Sequence, residues 1–412
     1  MKRIALILGV LLLTLILAYN IWLLPQLEVA TGYAAKKMCS CHFIDGRHPD
    51  TIQKQDLEMR FIHLTRTSFN LVDSMATTSL FGLAEQKAQY KGGLGCMLIR
   101  GRDNYNKYLK RSQLREREGW PIPDSTEINV TALEEAIDYA FRDKHKSRAA
   151  VVIHNGKLVG ERYASGYDSS SVFNGWSMTK SVTATLMSLL VRQQELALTD
   201  TALFEEWSDD RKAISLKDLL QMQSGLYFEE KYDQISTATN MLFRSEKVAE
   251  IPLSQEMVAT PGSSWYYSSG TSNILSELIR RKIDNDLKYH RLPYDSLFRR
   301  IEMNSAVLET DESGTFVGSS FCYATARDWA RFGQLYLQNG RWKDGQIIDS
   351  QWVSFVRQPA KHSKGLYGGH FWLNEHGAAF PKLPHNLYSC NGFQGQRVFI
   401  FPDRDLVVVR MG

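Results

Sequence analysis

Between Met1-Lys2-Arg3 and Pro25 the chain reads IALILGVLLLTLILAYNIWLL, from Ile4 to Leu24, without one charged residue. No other feature restricts the fold as much. About 20 apolar residues wound as a helix reach roughly 30 Å, the thickness of a bilayer's hydrocarbon core. A cleaved signal peptide is the rival reading, but its apolar region is about 7–15 residues and ends at a small-residue cleavage site. Here Trp22, Leu23 and Leu24 carry the run to Pro25, and no Cys follows directly. Residues 1–26 are therefore expected to be a retained, single-pass anchor in the inner (cytoplasmic) membrane. Lys2 and Arg3 would stay on the cytoplasmic side and send the rest of the chain outward.

That remainder has a globular composition. Of 412 residues, 43% are hydrophobic and 23% charged, a balance that supports a buried core. The net charge of +4 is dispersed, and no Lys/Arg block tracks a phosphate backbone, so nucleic acid is not an expected partner. The cysteines are Cys39, Cys41, Cys96, Cys322 and Cys390. An outward-facing compartment permits disulfides, and Cys96 with either Cys39 or Cys41 is the expected bridge. An odd number leaves at least one thiol over. Cys39-Ser40-Cys41-His42 lacks a second half with ligand spacing, so no metal is expected.

No internal repeat or low-complexity tract is present. Residues 27–125 form an N-terminal extension to which the sequence assigns no role, with a helix expected around Thr51–His63 and a Gly-rich stretch at Tyr90–Gly101. The charged RSQLREREGW and then Pro121-Ile122-Pro123 suggest a boundary, which sets the main domain at residues 126–412. In it, ALEEAIDYAFRDK has helical spacing, and AAVVIHNGKLVGERYA reads as a hairpin turned at Asn155-Gly156, both residues that tolerate positive φ. Residues 200 to about 340 are mostly helical, with LKDLLQMQSG expected to close on Gly225 as its cap. Strands return in GHFWLN, GQRVFIF and DLVVVR. Strands at both ends and helices between them predict an α/β (α+β) fold. One antiparallel sheet, flanked by helices, would be built from both ends with a mainly helical subdomain inserted.

The chemistry concentrates in FNGWSMTKSVTATLMSLL, Phe173–Leu190. A serine hydroxyl is a poor nucleophile near neutral pH and needs a base within hydrogen-bond reach. Positions i and i+3 share a helix face, which sets the Lys180 amine over the Ser177 hydroxyl. Burial penalises the ammonium and frees its lone pair for the proton. A Ser-x-x-Lys match arises about once by chance in a chain this long, so the setting carries the argument: a hairpin, then an apolar helix with Ser177 at its mouth. In PGSSWYYSSGTSNILSELI, Pro261–Ile279, a turn precedes Tyr267-Ser268-Ser269 and a helix. The Tyr267 phenol near a desolvated amine could relay a proton to a leaving group, with Trp265 and Tyr266 expected to pack on the core. In CNGFQGQRVFIF a Gly-rich entry to a strand lets backbone approach a ligand and offer an N–H to an oxyanion.

These three stretches together, in order and spacing, resemble the serine β-lactamase and penicillin-binding-protein superfamily. The likeness is closer to the branch of class C β-lactamases, related esterases and 6-aminohexanoate-dimer hydrolase, and it covers roughly residues 126–412. The family's Ser-x-x-Lys falls on Ser177–Lys180, its Tyr-x-Asn on Tyr267-Ser268-Ser269, and its Lys-Thr-Gly or His-x-Gly strand on Phe393-Gln394-Gly395. LLQMQSGL resembles a helix end common in this branch. The resemblance implies a serine hydrolase that cleaves a small amide or ester through an acyl-enzyme without a cofactor. Its nucleophile would be Ser177, its base Lys180 and its proton relay Tyr267. The N–H groups of Ser177 and Gln396 would hold the oxyanion, with Gly395 and Ser269 beside the substrate. Two positions depart from the pattern. Ser269 offers a hydroxyl where many members have an amide. Phe393 stands where β-lactamases carry a cation for the substrate carboxylate, which turns the expectation away from β-lactams. A β-lactamase or D,D-peptidase proper, and a non-catalytic acyl-trapping sensor of the same fold, remain the alternatives. The catalytic domain would lie on the periplasmic or extracytoplasmic side. The chain stops at Gly412, after the last strand, where a covering helix is expected, so either chain is missing there or the sheet is covered otherwise. Oligomeric state is not readable.

Overall fold

The structure, a computed structural model, describes residues 2–101, Trp120 and residues 129–412. The charged run, apart from Trp120, and the proline-rich boundary lie outside the described residues.

The apolar run forms the helix Lys2–Ala18, continued by a π-turn Tyr19–Leu23 and the helix Leu24–Phe43. The π-turn has a local cause. Pro25 has no N–H and its ring crowds the carbonyl four residues earlier, so the ladder widens there. Gln26 Nε2 donates to the Trp22 carbonyl at 3.0 Å. The helical path therefore runs past residue 26 into the domain, where residues Thr31–Cys41 are buried.

Against that buried half lies a sheet that the sequence reading missed: β1 (Arg66–Asn70), β2 (Met75–Leu80), β3 (Leu83–Lys91) and β4 (Gly95–Ile99), an antiparallel meander. A disulfide joins Cys39 to Cys96, across the helix and β4. Cys41, Cys322 and Cys390 are buried free thiols. The helix expected around Thr51–His63 is shorter, Pro49–Asp56, followed by a 3₁₀ turn Arg60–Leu64.

The main sheet has the expected plan. The hairpin β5 (Ala149–His154) and β6 (Lys157–Tyr163) turns at Asn155 and Gly156, φ +48° and +71°. A short sheet follows of β7 (Val172–Asn174), β8 (Val307–Leu308) and β9 (Cys322–Thr325), and then a two-stranded ribbon β10 (Arg341–Trp342) and β11 (Gly345–Gln346). The C-terminal strands β12 (Trp372–Leu373), β13 (Tyr388–Asn391), β14 (Arg397–Phe401) and β15 (Leu406–Met411) complete the order β12-β13-β14-β15-β5-β6. Every pair is antiparallel, with Phe399 opposite Val408 and Val408 opposite Val152. Val398, Ile400, Val407, Val409 and Met411 alternate into the core. The helix Ala326–Leu337 packs so closely there that a Cβ on Gly333 would stand 2.7 Å from Val398 and Val407. At the β6 end the helix Val130–Ala140 lies over the sheet, Leu133 and Ile137 against Gly160.

Gly225 does not cap a helix. The helix Leu216–Leu220 ends earlier, and Gly225, at φ +76°, accepts hydrogen bonds from the N–H groups of Val258 and Ala259. A second cluster joins the two regions: Tyr33, Met38, Ile52, Trp176, Phe243 and Phe321 are buried together.

Candidate active site

β7 ends at Asn174, Gly175 caps a 3₁₀ turn at Trp176–Met178, and the buried helix Thr179–Arg192 begins. Ser177 thus sits on the turn before the helix, half-buried between buried Trp176 and Met178. Trp176 has φ +49°, a conformation that costs a bulky residue about 1–3 kcal/mol and persists only when its surroundings force it. They do. Its N–H donates to Asn174 Oδ1 at 2.9 Å and Gly175 N–H donates to the Cys322 carbonyl at 2.8 Å. Its ring stacks on Tyr33 at 6.2 Å and meets Phe321 and Phe393 at 6.0 and 5.8 Å. A side chain at 175 would strike Trp329, with Cβ 2.3 Å from the ring. The strained turn raises Ser177 into the cleft.

Lys180 is 1% exposed. Its Nζ lies 3.1 Å from Ser177 Oγ, 2.9 Å from Ser269 Oγ and 3.0 Å from the Ser319 carbonyl, and 4.9 Å from the centre of the Tyr267 ring. Burial pulls the pKa from 10.5 down to about 8, against the charge of Glu230, which pulls it up. A neutral amine has two N–H groups and one lone pair. The Ser319 carbonyl can only accept, so it takes one N–H. With the second N–H on Ser269, the lone pair faces the Ser177 hydroxyl.

Tyr267 lines the cleft beside Ser177, and burial, then the Glu230 charge, holds its phenol far above the usual range. The contrast orders the pair: at neutral pH the tyrosine keeps its proton and the lysine is the group that can take one. The Tyr267 ring is held by Trp372 at 5.2 Å and Tyr367 at 5.7 Å. Trp265 packs on Tyr367 as expected, but Tyr266 is half-exposed.

Ser269 opens the helix Ser269–Lys282 and joins residues absent from the sequence reading. Its N–H donates to Glu230 Oε2 at 2.7 Å and its hydroxyl to Glu230 Oε1 at 2.6 Å. The Tyr232 hydroxyl lies 2.7 Å from Glu230 Oε1 and 2.9 Å from Ser269 Oγ. A carboxylate at a helix N-terminus is favoured by the backbone dipoles, and here it also fixes the hydroxyl that takes an N–H from Lys180. The only hint in the sequence is the acidic pair Glu229-Glu230 after LLQMQSGL. His370 lies behind Lys180, buried and held neutral, its pKa lowered to about 3, chiefly by burial. Its Nδ1 is 2.7 Å from the Leu220 carbonyl and so carries the proton, leaving Nε2 to accept from Ser272 at 2.9 Å.

The turn after β13 closes the opposite side. A Cβ on Gly392 would lie 2.1 Å from the Gly175 carbonyl oxygen, so only glycine lets the two turns meet. Trp176 Nε1 donates to Gln394 Oε1 at 3.3 Å. Gly395 has φ +82°, and a Cβ there would strike Arg410. The Gln396 side chain points away from the cleft, bonded to both backbone groups of Gly412 at 2.8 and 3.1 Å, so it can offer substrate only its N–H. That N–H makes one long contact, 3.5 Å, to the Phe393 carbonyl. The cleft, about 430 Å³, has Ser177, Tyr267, Glu230 and Arg397 as its functional polar groups and an apolar wall that includes Trp372, Leu373 and Phe380. Phe393 is 48% exposed on its rim. Arg397 is thus a cation in the cleft lining although position 393 has none, and its Nη1 donates to the Gly392 and Gln396 carbonyls at 2.7 and 2.8 Å.

Ser177, Lys180, Tyr267 and Ser269 thus converge, while Gly395 and Gln396 lie in the turn between β13 and β14 with no side chain directed to the cleft. A 6-aminohexanoate-dimer hydrolase from Paenarthrobacter ureafaciens is 20% identical over 316 residues, 70% of this chain and 76% of the relative. A Bacillus anthracis protein provisionally named 6-aminohexanoate-dimer hydrolase superposes with a TM-score of 0.57 at 25% identity, covering 68% of this chain and 76% of that one. A family VIII carboxylesterase shares the fold at a TM-score of 0.57 and 14% identity, over 71% and 92% of the two chains. The Beta-lactamase family model matches residues 135–411, and the chain belongs to that family.

Proposed function

We propose that the protein is a membrane-anchored serine hydrolase that cleaves an amide or ester in two steps. The observation that carries the reading is the contact of a fully buried Lys180 amine, its pKa near 8, with the Ser177 hydroxyl. Ser177 Oγ bonds to the acyl carbon and its proton passes to Lys180 Nζ. The Tyr267 phenol gives its proton to the departing oxygen or nitrogen and recovers the one held at Lys180. The N–H groups of Ser177 and Gln396 hold the oxyanion. Water then takes the acyl group from Ser177 by the same proton path in reverse. Glu230 and Ser269 position Lys180.

Anchoring is supported by the exposure of every residue from Lys2 to Ala18 on an apolar helix, and by the helical path that continues into the buried core. A fluorophosphonate probe tests the reading. Full-length protein should label and hydrolyse p-nitrophenyl butyrate, and Ser177→Ala should do neither. Absence of labelling in the intact protein refutes it and favours a binding module, and labelling without product release indicates an acyl trap. Arg397 in the cleft favours a second reading, an anionic substrate such as a β-lactam, for which rapid nitrocefin turnover is the readout.

A further inference from the structure

A second cavity of about 470 Å³ adjoins the catalytic cleft, and Tyr232 and Phe393 line both. Their ring centres lie 6.4 Å apart with the planes inclined at 29°, and the two side chains stand where the spaces meet. The wall beyond is mostly apolar: Val29, Ala30, Met59, Ile62 and Ile235, with Gln26 and Asp233 among its polar members. From this wall the Tyr232 hydroxyl reaches Ser269 Oγ, which itself bonds Lys180.

The position of the groove is as telling as its lining. Val29 and Ala30 follow the apolar run by five and six residues on one helical path, a rise of roughly 8–9 Å. An opening at that height looks onto the headgroup layer of a membrane spanned by Ile4–Leu24. Exposed aromatics lie at the groove and on both sides of it along the helical path. Phe61, which lines the groove, is 67% exposed and Trp22 is 74% exposed. Phe81, 78% exposed, tips the β2–β3 hairpin beside the helix turn at Thr31, whose hydroxyl donates to the Ala84 carbonyl at 2.6 Å. Aromatic side chains at membrane depth favour this interface.

We propose that the groove holds the acyl chain of a membrane-resident ester or amide, which enters sideways from the lipid layer and passes Phe393 to place its carbonyl at Ser177. This rests on the anchored-hydrolase reading and names its substrate class. The polar head would occupy the cleft near Arg397 and Glu230, and the chain would leave water only at the groove.

The test uses the full chain in phosphatidylcholine nanodiscs with p-nitrophenyl butyrate and decanoate. Wild-type kcat/KM should rise with chain length, with an upper limit of roughly three- to fourfold per methylene buried. Val29→Trp and Ala30→Trp fill the groove and should lower the decanoate-to-butyrate ratio at least tenfold. A flat or falling chain-length profile in the wild type, or an unchanged ratio in both variants, overturns the proposal. A second readout does not depend on turnover. A diazirine-bearing C16 fatty amide should crosslink Ser177→Ala protein within residues 26–30, 59–62 or 232–235. Labels confined to Lys2–Leu24 show that the groove excludes the chain. If no ester is hydrolysed and no serine probe reacts, yet the groove crosslinks, the hydrolase reading fails and the lipid groove stands.

Discussion

Titration of Lys180 separates its proposed role from a structural one. If the neutral amine takes the Ser177 proton, acylation follows the deprotonated fraction. With a folded-state pKa of about 8, that fraction is roughly one-eleventh at pH 7 and ten-elevenths at pH 9, so the acylation rate should climb about tenfold and then level off. Stability carries the same signature with a definite sign. The unfolded chain keeps this proton up to the ordinary lysine value of 10.5, whereas the folded chain releases it near 8. Below pH 8 the folded state therefore bears the full penalty of a buried cation, which is relieved as pH rises from 8 to 10.5. The difference, 10.5 minus about 8, corresponds to about 3 kcal/mol. Lys180→Met has no such proton. The unfolding free energy of wild type minus that of Lys180→Met should thus rise by about 3 kcal/mol between pH 7 and pH 10.5, whatever its offset from lost hydrogen bonds. Stopped-flow acylation by p-nitrophenyl butyrate from pH 6 to 10, and urea melts of both proteins at the two pH values, measure the two effects. A rate that is flat across that range, or a stability difference that does not change with pH, refutes the neutral-amine reasoning.

Three further outcomes are expected. Glu230→Gln removes the charge that holds the proton on Lys180, so the pH–rate midpoint should move to lower pH; no movement, or a shift upward, counts against the Glu230–Ser269–Lys180 chain. Gly392→Ala drives a Cβ into the Gly175 carbonyl and displaces the nucleophile turn, which should lower kcat on the order of 100-fold with a smaller change in KM; a near-normal kcat would show that the two turns need not touch. Reduction of Cys39–Cys96, which are separated by 57 residues, should lower unfolding stability by at most about 4 kcal/mol in denaturant melts, and a Cys39→Ser protein should be insensitive to reductant.

How far the sequence could be read depended on the strength of local patterns. The strands β14 and β15 are rich in Val, Ile and Phe and alternate buried with half-buried positions, and Asn155-Gly156 is a strong tight-turn pair, so the main sheet was legible. The N-terminal sheet alternates equally well in burial, but Thr, Ser, Ala and Gln supply the contrast in MATTSL and LAEQKAQYK, and such residues give little hydrophobic amplitude. Cys39 and Cys41, two positions apart on a helix, point in widely different directions. Only the packing of β4 decides that Cys39 meets Cys96. At the site, the Ser177–Lys180 spacing was legible because both residues share one local stretch. Glu230 was not, since it reaches Ser269 from a loop 39 residues away in sequence. The positive φ of Trp176 is likewise imposed by distant rings, not by the neighbouring sequence.

The helical path from Lys2 to Phe43 has a mechanical meaning. A 20-residue flexible tether would let a hydrolase wander on the order of 25 Å from its anchor and sample soluble and lipid substrates alike. In the anchored reading proposed above, a stiff rod with Tyr33 stacked on Trp176 would link the bilayer to Ser177. Residue count then acts as a ruler. Each residue added between the span and Val29 would lift the catalytic serine by about 1.5 Å, and a single extra turn would carry it beyond the reach of a carbonyl still seated among the headgroups.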